Sequence, residues 1–513
     1  MKKVKKFIYE NWFFIILIIP FILICFSNKL PDNDIWFLLN NGRYVVGNGI
    51  PHIDPFTIHE GLKYIMQQWA SSILLWGIYD MFGPKGLIVF IYVMAILLMA
   101  IFYKLCYVIS DKKNLSILAT CVTFSLISKF IVLRPQIISY LLLLLEILCL
   151  ELYVKKKKNL YLMFLPLISF LLINFHASMW YFQFVFLLPF ICNGLCIEKI
   201  PYFGKFKIDN YKLKPILISF IFVILVGFIN PYGLEAITFI FKSYGITVLN
   251  TNILEMMPNS FDKTFGKITL AITLMIGLLC YFKKDLKFDI RHICFICGCI
   301  ILGNMHIKCY PWFVLLVIFS LVYAFKDFII SVKFFNKFKN ILKALYNGLI
   351  ISSCFFGILT LFYTLYYSYN SFKLESGILG WNYEDITDYV VDHYDKEKVI
   401  LYVGFDNGGY AEFKGLRPYI DGRAELFVKK FNGKSDIFQE SVLVWDGTLD
   451  MEKFINKYNF THLIVMHDTP IDTYLMGDSE FEMVYVDESF VDEDGDYLLR
   501  LYVRKDLDSG WVE

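Results

Sequence analysis

The feature that most limits this chain is the recurrence, through its first 370 positions, of nearly charge-free runs about 20 residues long, the length a helix needs to cross a bilayer. Such runs place spans at about 11 to 27, 85 to 109, 115 to 133, 136 to 154, 160 to 178, 180 to 197, 214 to 230, 266 to 282, 291 to 307, 310 to 326 and 341 to 367. That makes about eleven. With 57% hydrophobic and 19% charged residues, the chain is not a string of soluble domains. Lys2 to Lys6, Lys112/Lys113, Lys155 to Lys158, the lysines of the 199 to 214 loop, Lys283/Lys284/Lys287 and Lys326 to Lys343 then fall on one face of the ladder. The positive-inside rule assigns that face to the cytoplasm. The expected protein is a multi-pass cell-membrane protein with a cytoplasmic amino terminus, a retained first anchor, and an extracytoplasmic segment after Ser371.

Charge divides the chain at the same place. From Ser371 onward there are 30 acidic and 14 basic residues, a balance of −16, so the upstream part carries +18. Opposite halves hidden in a near-zero total give no basic stripe for nucleic acid, and no nucleic-acid partner is expected. The twelve cysteines, Cys25 to Cys354, all sit in or beside apolar segments and read as buried thiols, not as a disulfide framework for the tail.

The outer ends of the spans collect Asp32, Asp34, His52, Asp54, Arg134, Asn174, His176, Asn230, Glu255, His306 and Lys308. Groups that are expensive in a membrane usually face a cavity or a partner, so their accumulation on one face predicts an outward-facing site. The first outer loop, 28 to 69, is long enough to have structure of its own. Ile35, Trp36, Leu38, Leu39, Tyr44, Val45 and Val46 form an apolar stripe at helical spacing, expected as a short interfacial helix. Asp32 or Asp34 precedes it, either as its cap or as a functional carboxylate. Met66 to Phe82 is expected as a second helix leading across Gly83-Pro84 into the next span.

Several short motifs together resemble the bacterial relatives of GT-C glycosyltransferases: Asp34-Ile-Trp36, Gly49-Ile-Pro51-His-Ile-Asp54-Pro55, Arg134-Pro135-Gln136, Asn174-Phe-His176, Asn230-Pro231-Tyr232-Gly233, Gly408-Gly409-Tyr410 and Asp421-Gly422-Arg423. The chain departs from that pattern at Phe37, at Ala177 and at Lys308, where an arginine is expected. The resemblance implies a polytopic, mainly α GT-C-like helix bundle of about 11 spans, residues 1 to 370, with a C-terminal extracytoplasmic α/β domain, residues 371 to 513. It also implies sugar transfer from a polyprenyl-phosphate-linked donor, held at the membrane lipid, to an envelope glycan, lipid or protein acceptor.

By that resemblance Asp34 is the first choice for catalytic carboxylate, with Asp32 and Asp54 behind it. Arg134, Lys308 and His306 are the candidates for the departing phosphate; His52, Asn174, His176 and Glu255 are candidates for substrate contact. A divalent cation, Mg or Mn, is a candidate cofactor, and Asp54 or Asp32 could either orient Asp34 or hold such a metal. A transporter or flippase of a lipid-linked substrate uses the same outer cluster as one end of a pathway, and a non-catalytic cell-envelope scaffold uses the tail as its binding module. No His-Glu-x-x-His, Walker loop or Gly-x-Ser-x-Gly is present, which argues against a zinc protease, an ATP-driven pump and a serine hydrolase.

In the tail, alternation predicts an amphipathic helix to about Tyr394, strands near 398 to 403, 417 to 421, 461 to 466, 482 to 487 and 497 to 504, and a terminal hairpin turn at Asp494-Gly495. Asp421-Gly422-Arg423 reads as a turn with an internal ion pair.

Overall fold

A computed structural model describes residues 17–27, 33–195, 211–243, 245–282, 289–326, 384–491, 497–505 and 510–511. Every span expected between 85 and 326 meets an apolar helix. Four of the described helical segments are long and apolar enough to cross a membrane: Trp69–Ser110, Gln136–Lys156, Ala177–Leu195 and Ile307–Phe325. Shorter apolar helices stand beside them, including Lys113–Leu126, Leu213–Gly227 and Ile290–Met305. The architecture is that of a mainly helical, multi-pass membrane protein. The first expected span is represented by the helix Ile18–Ser27, and the one at 341 to 367 lies outside the described residues.

The longest helical segment, Trp69–Ser110, is two helices joined at Gly83, whose φ of 62° and ψ of −165° leave the helical region. Only glycine takes such a backbone without strain, and Pro84 has no N–H to continue the ladder. Past the break, Val89, Val93, Ile96 and Leu97 form an exposed apolar strip. The other face packs on the helices Lys113–Leu126 and Gln136–Lys156. Trp312 is buried where Tyr140, Phe182 and Phe186 meet it, with ring centroids 4.9 to 5.9 Å away. Deep in the bundle, Arg291 forks over Glu151 at 2.8 and 3.1 Å and also pairs with Asp289, so the buried guanidinium has its charge matched.

The expected span at 115 to 133 is too long. Its helix ends at Leu126, and a 3-10 turn, Ser128–Phe130, turns the chain towards Arg134 and Pro135. Lys129, expected inside the span, is therefore carried out of the α-helix onto that turn.

The tail builds a four-stranded mixed sheet in the order β1-β2-β4-β3, from β1 (Leu401–Tyr402), β2 (His462–Met466), β3 (Phe481–Val491) and β4 (Tyr497–Arg504). Strand β1 runs parallel to β2, and β4 is antiparallel to both β2 and β3. The helix Glu384–His393 packs Ile386 and Val390 into the core with Leu401, Ile464 and Leu501. The strand expected at 417 to 421 is reduced to one parallel bridge, Leu401 to Pro418, because proline has no N–H for a ladder and the chain turns at Asp421. The expected turn at Asp494-Gly495 lies outside the described residues, but its flanking strands pair antiparallel up to Val491 and Tyr497.

The first loop and the tail are packed together. The loop helix Asp34–Asn48 buries Ile35, Phe37, Leu38 and Leu39 against protein, while Val46, the far end of the expected stripe, is exposed. Trp36 meets Tyr410 and Phe413 at 4.9 and 5.1 Å, and Arg43 donates to the Phe413 carbonyl at 2.8 Å. Further along, Arg417 donates twice to the Thr57 carbonyl, at 2.7 and 3.0 Å, and the His59 ring nitrogen lies 2.7 Å from the Tyr419 carbonyl. Loop and tail therefore share one side of the bundle.

Candidate functional site

Asp34 opens the loop helix but does not cap it. The cap position is Asn33, without a side-chain cap bond, and Asp34 lies in the first turn, where the helix dipole favours a carboxylate. Its Oδ2 lies 3.0 Å from Arg134 Nη2. The other terminal nitrogen of Arg134, Nη1, donates to both oxygens of Glu255 at 2.9 and 3.0 Å. One guanidinium thus bridges two carboxylates from distant loops, placed by the start of the Asp34–Asn48 helix, by Pro135 at the head of Gln136–Lys156, and by the short turn Leu254–Met256. With side-chain exposures of 17% for Arg134 and 27% for Asp34, the pair is shielded yet open on one side.

That side is a cavity of about 1050 Å³. Its membrane-side wall carries Lys129, Arg134, Gln136, His176, Glu255 and Lys308; its opposite wall comes from the tail, through Tyr402 to Asn407, Ile420, Gly422 to Leu426 and Trp445. The tail reaches the carboxylate itself. A Cβ at Gly422 would stand 2.7 Å from Asp34 Oδ1 and 3.3 Å from the Phe37 ring, so only glycine permits this approach. Glu425 faces the same space. Burial pushes its carboxyl up, and Glu255 adds to this while Lys308 opposes it. The ammonium groups of Lys129 and Lys308 have no hydrogen bond or ion pair among the described residues, whereas Lys63 at the rim pairs with Glu235.

The remaining expected residues are dispersed. His176 lines the cavity with its Nδ1 2.8 Å from Ser139 Oγ. Asn174 is outside the wall, accepting from Trp69 Nε1 at 3.2 Å and donating to the carbonyls of Phe170 and Ile229. His306 Nδ1 lies 2.5 Å from the Met256 carbonyl, which braces the turn that carries Glu255. His52 is exposed and stacks edge-on with Tyr232, away from the cavity. Asp32 is outside the described residues.

Asp54 has a partner that sequence separation concealed. Its Oδ1 accepts from Arg423 Nη1 at 2.6 Å, while Oδ2 accepts from the Thr57 amide and hydroxyl at 3.1 and 2.7 Å. Arg423 also donates to Asp421 and Glu412 and lies over the rings of Phe56 and Tyr64 at 5.1 and 4.9 Å. The internal pair expected within Asp421-Gly422-Arg423 exists, and it extends across to the first loop. Burial pushes the Glu412 carboxyl well up, with Arg423 opposing it.

A divalent cation would need oxygens converging at about 2.0–2.6 Å. Asp34 and Glu255 are instead closed on a guanidinium, and among the described residues no three His, Cys, Asp or Glu side chains converge. The residues present do not fit a divalent cation between these two carboxylates.

No protein-family model matches the chain, and no curated protein sequence matches it. Solved structures do. The chain is similar to the oligosaccharyltransferase of Archaeoglobus fulgidus tethered to an acceptor peptide, with a TM-score of 0.55 and 12% identity over 90% of this chain and 70% of that one. The apo form of the same enzyme gives a TM-score of 0.51 and 13% identity, over 89% and 70%. The fold resembles that of a GT-C membrane glycosyltransferase. At such identity the likeness extends to architecture alone.

Proposed function

We propose that this chain is a GT-C-type glycosyltransferase of the cell membrane, moving a sugar from a polyprenyl-phosphate-linked donor to an extracytoplasmic glycan, lipid or protein acceptor. The observation that carries the reading is the convergence of Asp34, Arg134, Glu255, Lys129 and Lys308 on one cavity between the membrane bundle and the tail.

In this reading the acceptor's O–H or N–H approaches Asp34 as its lone pair attacks the anomeric carbon. The bond from that carbon to the phosphate oxygen breaks, the phosphate leaves with the electron pair, and the proton passes to the Asp34 carboxylate. Arg134 and Glu255 hold Asp34 in place. The phosphate role expected of Arg134 passes to Lys129 and Lys308, point charges with donors to spare. His306 and Asp54 serve as positioning residues, the first for the Glu255 turn and the second for the tail. Residues 1 to 370 make the membrane domain and 371 to 513 an extracytoplasmic lid, with the amino terminus in the cytoplasm. Mass spectrometry of lipid-linked sugars and envelope glycans, with and without the gene, tests this. Loss of one glycan with accumulation of its lipid-linked precursor is expected, and identical profiles would contradict it.

A further inference from the structure

Two carboxylates at the mouth of a sugar-transfer cavity form an arrangement a divalent cation could neutralise, and here that position is filled by protein. Arg134 reaches Asp34 with one nitrogen at 3.0 Å and grips both oxygens of Glu255 with the other at 2.9 and 3.0 Å. A planar fork matches carboxylates in this way without being removable by dilution or chelation. Its side chain is held at the start of the Gln136–Lys156 helix, behind Pro135, and the Glu255 turn is braced by His306 on the Met256 carbonyl. Arg134 is largely shielded, and of its two partners Asp34 is the more buried and Glu255 the more exposed.

We infer that Arg134 is the built-in cation of this site, occupying the place between Asp34 and Glu255 that a divalent metal would otherwise take, so that the chain acts without one. The inference rests on the reading of this cavity as the transfer site. A metal ion entering the space would have to displace the guanidinium or sit beside it against like charge, since Arg134 already engages Asp34 Oδ2 and both oxygens of Glu255. The charge needed to hold Asp34 and Glu255 together, and to orient Asp34 towards the acceptor, is then covalently attached to the chain. Lys129 and Lys308 supply cationic groups for the donor's phosphate from the same wall.

The test is manganese binding followed by electron paramagnetic resonance on the purified protein in lipid nanodiscs, with no donor or acceptor present. The wild type is expected to take up no stoichiometric Mn²⁺, and Arg134→Ala to gain one site that Arg134→Ala combined with Asp34→Asn loses again. One Mn²⁺ per wild-type chain, lost in Asp34→Asn, would overturn the inference. A well-folded Arg134→Ala protein that binds no Mn²⁺ would also overturn it, by showing that the carboxylates do not define a cation position. If Arg134→Ala does not fold, the wild-type measurement decides alone. Since no sugar enters the assay, failure here leaves the glycosyltransferase reading standing, and failure of transfer leaves the metal result intact.

Discussion

Asp34 and Arg134, on different loops of the membrane bundle, lie 3.0 Å apart, and the guanidinium that completes this pair also holds both oxygens of Glu255. The pair explains why the loop carboxylate is not a helix cap: its Oδ2 is directed at Arg134, and Asn33 occupies the cap position. It also makes the tail part of the site, because Gly422 abuts the remaining oxygen, Oδ1.

Gly422→Ala tests that contact. The added methyl would stand 2.7 Å from Asp34 Oδ1, so either the carboxylate or the turn must shift. Since a displacement of about 1 Å at a reacting group can cost about 10²-fold, transfer is expected to fall by roughly that factor while protein level and melting stay near wild type. Unaltered transfer would mean that the turn gives way and that Asp34 is not confined by the tail.

The Arg423 cluster gives a stability prediction. Arg423→Met removes the cation matching Asp54, Asp421 and Glu412, all buried, and is expected to destabilise the tail's seat on the first loop by about 3–5 kcal/mol, the cost of leaving buried charge unpaired. Asp54→Asn should cost less, since Asp421 and Glu412 still face the guanidinium. Limited trypsin digestion of the purified protein, read as release of the tail, reports the order. Equal resistance in both variants and wild type would show that the cluster does not fasten the tail.

Legibility in the sequence followed the range of the interaction. Apolar runs and the Gly83-Pro84 break are local signals, and both became helices and a kink where expected. The antiparallel pairing of β3 and β4 was readable from alternation, whereas Pro418 overrode the pattern at 417 to 421. Asp34 and Arg134 were each legible as polar residues at span ends on one face, but their pairing was not, because nothing local links them. Lys129 was hidden by a boundary error: hydropathy carried the span to position 133, while the helix stopped at Leu126. The Asp54 to Arg423 bond joins positions 369 residues apart, beyond any periodicity, and so the tie between the first loop and the tail was not readable at Asp54.

A pH effect follows from Glu384 in the tail. Burial, with Asp388 and Asp385 adding, raises its carboxyl from 4.5 to about 7. The folded state therefore holds this proton more tightly than the unfolded chain. The stabilisation is complete below about 4.5, declines as pH rises, and is gone above about 7. Glu384→Gln, which cannot charge, should raise the melting temperature at pH 8 relative to wild type and change it little at pH 4.5, by an amount corresponding to about 1–2 kcal/mol once solvent screening of this partly exposed group is allowed for. The same shift at both pH values would assign the effect to packing.

Lys129→Ala and Lys308→Ala, singly, should each weaken use of the lipid-linked donor by roughly 10-fold in kcat/KM, the size of one charged hydrogen bond of about 1.5 kcal/mol. Each should leave melting nearly unchanged, because neither ammonium has a hydrogen bond or ion pair among the described residues. Donor-concentration series on the purified variants separate this from a loss confined to kcat, which would place these lysines away from the ground-state phosphate.

The most direct measurement is single-turnover transfer by the purified protein in proteoliposomes, supplied with a labelled polyprenyl-phosphate-linked sugar and an envelope extract as acceptor, comparing wild type with Asp34→Asn. The substitution keeps the side chain's shape and removes its charge, and loss of a positioned base costs about 10² to 10⁴. The expected result is label moving from lipid to acceptor in the wild type, and a fall of that size in Asp34→Asn at unchanged protein level. Equal turnover in a well-folded Asp34→Asn protein would contradict the account by taking the Asp34 carboxylate out of the chemistry.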